Sequence, residues 1–528
     1  MKKYIMKATL GLSLIVITLT SCEKRLDLQP LNDVTSDVVY STPTGYRLSL
    51  AKVYGSFALT GNKGPTDAPD IVGLDEGSNA DFYRTFWQAQ QTSTDEAVIA
   101  WGDNGVQDFH NMNWTSGNPF LKGLYFRSLY QITLVNEFLR QSTDDKLSGR
   151  SITGADADEI RKNRAEVRFL RAFQYWVLMD LYGNPPFVTE KDLIGGALPK
   201  QINRADLFKY VESELLSIET ELPAVKTAGN YGRVNKFAAQ ALLARIYLNA
   251  QIYTGTAKNN EAVTYAKKVI DGGYTLLPNY RHLLLADNNI NNTEAILTIN
   301  YDGVKTQLFG GSTFITHAAI GGNMSAPVYG VKEGWAGLRT TKSLVNLFPN
   351  ADGSTDTRAQ FFTDGQALEI NSLSTFKDGY AVTKYRNVTK AGASGSDATF
   401  TDIDVPLFRL AEMYLIYAEA TLRGGSGDNT LALTYFNKLR ERAYNGVTGN
   451  VASINLNLIL DERSRELYWE GHRRTDLVRY AKFTTDTYLW PWKGGVKAGK
   501  SVEAFRNLFP LPSADVSANT NLTQNTGY

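Results

Sequence analysis

The sequence predicts a mainly α-helical protein, a tetratricopeptide-like helical repeat scaffold interrupted by long irregular loop insertions. Three observations predict it. Apolar residues recur at spacings of three and four over several stretches, one of those stretches is rich in alanine so that a neighbouring helix can approach closely, and two long regions show no period at all. A strict period of about 34 residues is absent, so the repeat assignment rests on the pairing of helices.

From the N-terminus, Lys2, Lys3 and Lys7 precede an apolar run from Ala8 to Leu19 that ends in Leu19-Thr20-Ser21-Cys22. The run is too short to span a bilayer, and a small residue before the only cysteine reads as a lipoprotein cleavage site. Residues 1–21 are therefore expected to be a signal peptide, and 22–32 a tether. Cys22 would carry a diacylglycerol on sulfur and an acyl chain, such as palmitate, on nitrogen, enough for stable anchoring. A single domain, 33–528, should follow.

Within that domain Leu170, Phe173, Val177 and Leu181 form one stripe of a helix from Arg161 to Tyr182, which Gly183 and Pro185-Pro186 stop. A helix from Asn235 to Tyr253 offers Ala238, Ala239, Ala241 and Ala244 to a neighbour, with Leu242, Ile246 and Leu248 filling the contact. Further helices are predicted over Tyr125–Arg140, Arg204–Thr220, Asn260–Ile270, Leu407–Leu422, Ala432–Arg442 and Ile459–Phe483. Residues 60–118 and 276–400, rich in Gly, Asn, Asp and Thr with isolated aromatics, read as the loop insertions. Insertions of that length usually carry function.

Composition narrows the partner. Lys+Arg 55 against Asp+Glu 54 gives a net charge of +1, without the basic footprint of a nucleic-acid binder, so a neutral ligand is expected and no nucleic acid. Aromatic residues make up 11% of the chain, and several fall outside any helical stripe. With Cys22 lipidated no thiol remains, so packing must supply the stability.

Motifs for chemistry are sparse. His110, His282, His317 and His472 lie far apart, and no H-E-x-x-H, G-x-S-x-G, phosphate-loop or dinucleotide fingerprint occurs. Asp95-Glu96, in a loop beside aromatics, could serve a glycoside hydrolase as acid and nucleophile, and capping or solvation is the commoner role of such a pair. The dense run from Asp461 to Leu477 looks catalytic, but on a helix Glu462 with Arg465, Arg463 with Glu466, and Glu470 with Arg473 and Arg474 would pair along one face. Leu467, Tyr468 and Leu477 would anchor that helix in the core, and Trp176 and Trp469 also read as core.

The same run, E-R-x-R-E-L-x-x-E-G-x-R-R-x-D-L-x-R from Glu462, resembles the C-terminal signature of the SusD-like (RagB/SusD) family of outer-membrane glycan-binding lipoproteins. Arg164 to Ala172, Pro406 to Glu412 and the terminal Gln524-Asn525-Thr526-Gly527-Tyr528 resemble other family segments, so the likeness covers the chain. It extends to the family's starch-binding founder through Leu74–Gly77 with Phe82–Thr85, Thr94–Glu96 with Trp101, Asp302–Thr306 with Gly310–Thr313, and Phe483–Thr485 with Tyr488–Gly495.

The resemblance implies a non-catalytic protein that captures starch, maltooligosaccharides and cyclodextrin-like α-glucans at the cell exterior. It would deliver them to a TonB-dependent SusC-like transporter, alongside other surface glycan-binding lipoproteins. Carried over by position, Trp101, Phe309 and Trp335 would form an aromatic arc, with Asp75, Arg84 and Asn104 as polar contacts. Flat rings suit the C–H faces of glucose, Arg84 and Asn104 can donate to hydroxyls, and Asp75 can accept. A curved arc favours a helical α-1,4-glucan over a flat chain, at a Kd of about 10 μM to 1 mM. Phe309 departs from the tyrosine expected in the founder. Asn289, Asp402 and Asp404 are the residues that would hold calcium, against capping as the simpler role of Asp404 ahead of a helix expected to start at Pro406.

Two other classes compete: a hydrolase working through a carboxylate pair, and a helical scaffold that binds peptides in a concave groove. A SusD-like binder of a different glycan is the nearer alternative. The deciding feature is whether Trp101 and Trp335 share one exposed patch outside the helical array or are buried apart.

Overall fold

The computed structural model describes residues 35–62, 64–192, 194–224 and 230–528. The expected signal peptide, Cys22 and the tether lie outside the described residues.

Helices dominate, and most begin at a residue that can accept a hydrogen bond from the first turn. Thr42 caps α1 (Pro43–Gly55), Asp81 caps α2 (Phe82–Gln91), and Asn118 caps α3 (Pro119–Gln141). The long α4 (Gly154–Leu181) follows, then α5 (Arg204–Ile218) behind Asn203, α6 (Lys236–Leu248) behind Asn235, and α7 (Asn259–Ile270). After α8 (Gly311–Ala318) come α9 (Leu410–Leu422), α10 (Asn429–Ala443), α11 (Leu456–Leu467) and α12 (Arg473–Arg479).

Sequential helices pack on one another: α3 on α4, α4 on α5, α6 on α7, α9 on α10, with α7 joining α9 across the intervening insertion. The alanines of α6 are the reason it can pack on several sides, since Ala238, Ala239, Ala241 and Ala244 are all fully buried. The predicted stripe of α4 is buried too, but so is nearly every residue from Ala165 to Leu181, because this helix runs through the centre of the core.

Four expectations are corrected. The segment from Leu407 does not begin a helix: Val405–Arg409 is strand β4, paired antiparallel with β2 (Ala295–Ile299), and α9 starts only at Leu410. A β-branched residue before proline favours extended backbone, and the facing strand takes up the remaining polar groups. The second helix from Asn235 stops at Leu248 and resumes as a short turn at Ala250–Thr254.

The helix expected from Ile459 to Phe483 breaks between Leu467 and Arg473, where Trp469 has φ 64° and Gly471 φ 82°. The break turns Trp469 into the core, where its Nε1 donates to Glu96 O at 2.9 Å and its ring meets Trp87 edge-on. Lastly, the two insertions are not wholly irregular. They contain α2 and α8, in which every residue is buried, the polar Arg84, Thr85, Gln88, Gln90 and Gln91 of α2 included.

The charged run also pairs differently from its helical spacing. Glu462 does meet Arg465, but Arg463 bonds Asp476 at 2.8 Å, Glu466 meets Arg358, Arg409 and Arg442, and Glu470 meets Lys384 and Arg409. Arg473 closes on Asp95. Arg358, Lys384 and Asp95 lie in the two insertions, so the run ties the C-terminal helices to them. Leu467, Tyr468, Leu477, Trp176 and Trp469 are core, as expected.

Candidate functional site

The insertions place all six expected contact residues, Asp75, Arg84, Trp101, Asn104, Phe309 and Trp335, on one open cleft of ≈ 720 Å³. That volume suits a small oligosaccharide segment. Trp101 and Trp335 are each half-buried, and they share this cleft instead of being buried apart.

A two-residue ladder brings the tryptophans together. β1 (Val98–Ile99) pairs antiparallel with β3 (Leu338–Arg339), and Ala100 N–H extends the pairing to Gly337 O at 2.8 Å. Trp101 follows one strand and Trp335 precedes the other, so the indoles emerge side by side, and Trp101 Nε1 donates to Trp335 O at 3.0 Å. Gly337 makes room, since a Cβ there would stand 2.6 Å from the Trp101 ring.

The end of α8 holds the other side of the loop. Trp335, Ala336 and Gly337 donate their N–H groups to the carbonyls of His317, Ile320 and Ala318, each at 2.8 Å. Carbonyls left over at a helix C-terminus are thereby used to fix the platform.

The three rings curve. Trp101 and Trp335 lie 6.5 Å apart with planes inclined at 47°, and Trp335 and Phe309 lie 6.3 Å apart at 54°. Phe400 backs Phe309 at 5.3 Å, and Phe314 supports Trp101 edge-on at 6.0 Å. Such a surface follows a bent chain of sugar faces better than a flat one.

Arg84 forms the polar floor. It is 5% exposed, its guanidinium lies 4.3 Å over Phe314, and Nη1 donates to Gly77 O at 2.6 Å. Nε is buried and bonds no atom of the described residues. Burial lowers its pKa to about 10, against the pull of Asp81, Asp75, Asp103 and Glu76, so it stays charged at neutral pH.

Asp81 ties this floor to the Phe309 segment, because Oδ1 accepts from both Arg84 N and Gly311 N. Asp75 and Asn104 are exposed at the rim, with Asp75 Oδ1 accepting from Gly77 N–H at 2.9 Å. Burial pushes Glu76, beside them, up to about 7.

Three contributors escaped the sequence reading. Asp103 adjoins Asn104 in the same loop and lines the cleft, so its neighbour was the available signal. Phe120 lines it from the first turn of α3, where it is indistinguishable from a core residue. His317 stacks behind Trp335 at 4.6 Å on a helix with no exposed face.

Asp95 and Glu96, the carboxylate pair considered for hydrolysis, are buried in the core. Arg473 clamps Asp95 at 2.7 and 2.6 Å, and Ser464 donates to Glu96 at 2.7 Å. Neither carboxylate lines the cleft.

The candidate calcium residues sit elsewhere. Asp402 accepts from Gly303 N and from Ser396 N and Oγ, Asp404 accepts from Tyr301 N at 2.8 Å, and Asn289 is exposed. Asn288, next to Asn289, bonds the Asp404 backbone. Burial, with Asp402 and Asp302 nearby, raises Asp404 to about 7 despite the Tyr301 and Tyr231 hydrogen bonds. Among the described residues no group of three or more His, Cys, Asp or Glu could hold a metal ion, and no helix is long and apolar enough to cross a membrane.

Comparison with known proteins gives a consistent picture. The SusD family model matches residues 358–528. The chain is 35% identical to the starch-binding protein SusD of Bacteroides thetaiotaomicron over 100% of both chains, and 24% identical to the SusD-like protein P2 of Formosa agariphila over 73% of this chain and 78% of that one. Among solved structures, a laminarin-binding SusD-like protein superposes with a TM-score of 0.69 at 22% identity, covering 92% of this chain and 99% of that one. A SusD superfamily protein from Parabacteroides distasonis superposes at 0.71 with 21% identity, covering 94% and 100%.

Proposed function

Because the chain belongs to the SusD family, we propose that it is a cell-surface lipoprotein that binds starch and maltooligosaccharides and hands them to a TonB-dependent SusC-like transporter without cutting them. The observation that carries this reading is the curved arc of Trp101, Trp335 and Phe309 above the charged Arg84 in one open cleft. The rings would take the C–H faces of successive glucose units. Arg84, Asn104 and Asp75 would take the hydroxyls, and Asp103 adds an acceptor. Cyclodextrin-like α-glucans present the same curvature. Anchoring through Cys22 in the outer membrane, and cooperation with other surface glycan-binding lipoproteins, belong to the same reading.

Calorimetric titration of the chain lacking residues up to Cys22 tests it, with maltoheptaose, α-cyclodextrin and laminarihexaose as ligands. Binding of the first two is expected, and Trp335→Ala should weaken it by about 2 kcal/mol, roughly 30-fold, as loss of a central aromatic anchor does. No reducing sugar should be released. Heat with laminarihexaose alone would replace starch by a β-glucan, the ligand class of the laminarin-binding SusD-like relative.

Calcium is a separate proposal. Carboxylates of Asp402 and Asp404 with the amide oxygen of Asn289 have the hard-oxygen chemistry calcium prefers, and a cation would relieve the raised pKa of buried Asp404. The hydrogen bonds to Asp402 compete with that role. Bound calcium should raise the melting temperature relative to chelated protein, and identical melting in calcium and in EDTA would leave these residues as structural acceptors only.

A further inference from the structure

His317 lies behind the arc, fully buried, with its imidazole stacked on the Trp335 indole at 4.6 Å and 23°. Both ring nitrogens face backbone carbonyls: Nδ1 is 2.8 Å from Glu333 O, and Nε2 is 2.8 Å from Thr399 O. A carbonyl oxygen only accepts, and a neutral imidazole has one N–H and one lone pair. One of the two contacts would then set lone pair against lone pair. The imidazolium alone satisfies both.

One carbonyl lies in the loop that carries Trp335, the central ring, and the other in the segment that backs Phe309. Glu333 lies two residues before Trp335, and Thr399 precedes Phe400, the ring packed behind Phe309. A third link, Lys332 N–H to Ala398 O at 2.9 Å, joins the same two segments.

We propose that His317 is the positioning residue of the arc, a doubly protonated strap that holds the Trp335 loop against the Phe400 segment that backs Phe309, at the spacing a glucan needs. The effect on affinity rests on the glycan reading above; the strap itself rests on the contacts of the ring. From the loop packed against the ring, Glu333 favours the proton and Lys332 opposes it, while the segment through Thr399 brings the second carbonyl.

Burial lowers the His317 pKa below the usual histidine value, and the two carbonyls work against that. The strap is therefore complete below this lowered pKa and is lost as pH rises through it. Glu76, near 7, titrates close by at the rim, so the affinity series belongs in a Glu76→Gln background.

The experiment pairs two measurements from about pH 4 to about pH 8, a range that brackets histidine. Nitrogen NMR of the imidazoles follows protonation, with His317→Gln identifying the signal. Calorimetry with maltoheptaose follows affinity. Both His317 nitrogens should be protonated at the acid end, and affinity should fall about 3- to 10-fold through the same midpoint, the worth of one hydrogen bond. His317→Gln should make the affinity independent of pH.

A singly protonated His317 at the acid end, or an affinity unchanged across its midpoint, overturns the proposal. If maltoheptaose gives no heat at any pH, the glycan reading fails, while the NMR titration still decides the strap. The Trp335 indole signal must then move with the same midpoint. That signal also identifies His317 should the glutamine variant not fold.

Discussion

Phe309 and Trp335 stand at opposite degrees of constraint within one arc. Trp335 is fixed on three sides, by the His317 ring, by its own N–H on His317 O and by the Trp101 indole N–H on its carbonyl. Phe309 is held by ring packing against Phe400 and Trp335. It also lacks the hydroxyl that a tyrosine would turn toward a sugar. Phe309→Tyr is expected to tighten α-glucan binding about 3- to 10-fold, the value of one added hydrogen bond, with no change in melting temperature. Calorimetry of the variant against maltoheptaose checks this, and unchanged affinity would mean that position 309 contributes its face alone.

At the scale of elements, the β1–β3 ladder matters beyond its length. Two paired residues on each side suffice because the loop beyond them is bonded to the end of α8, and Gly337 lets the indole of Trp101 lie against the backbone. Gly337→Ala should push Trp101 out of register with Trp335. Its expected effect is at least a tenfold loss of glucan affinity, with a destabilisation of about 1 to 3 kcal/mol from overpacking. Binding at wild-type strength would show that Trp101 can shift without loss of the arc.

The whole molecule is held by a buried ionic network that joins the C-terminal run to the insertions. Glu466, with no exposed surface, contacts Arg358, Arg409 and Arg442, so Glu466→Ala leaves three cations short of a partner and should cost about 3 to 5 kcal/mol. Burial alone would raise Glu462 and Glu470. Arg358, Arg465 and Arg440 around the first, and Arg409 and Lys384 around the second, instead pull both down to about 2.

The unfolded value is about 4.3, so their stabilisation is present above that pH and is lost as pH falls through about 2. Glu96 has the opposite sign. Burial and Asp95 outweigh Arg473 and push it up to about 8, so it is protonated at neutral pH and its contribution falls as pH rises toward that value. Glu96→Gln, which needs no proton to fold, should therefore be at least as stable as wild type at neutral pH, where Glu466→Gln is less stable, and denaturant melts of both variants give the comparison.

What the sequence determined by itself is what local pattern encodes. The helix pairs followed from the periods of α3, α4, α6, α7 and α10, the absence of a catalytic pattern from motifs, and the six cleft residues from likeness to a family, with composition pointing to a neutral ligand. Only the tertiary structure decided the rest. The helices α2 and α8 have every face buried, polar residues included, because other parts of the chain pack around them, and strand β4 exists because β2 lies beside it. Within the charged run, Glu466, Glu470 and Arg473 took partners from distant segments over their helical neighbours, because folding brings Arg358, Arg409, Lys384 and Asp95 against them in the core. The strap at His317 depends on two carbonyls, at Glu333 and Thr399, that adjoin only after folding.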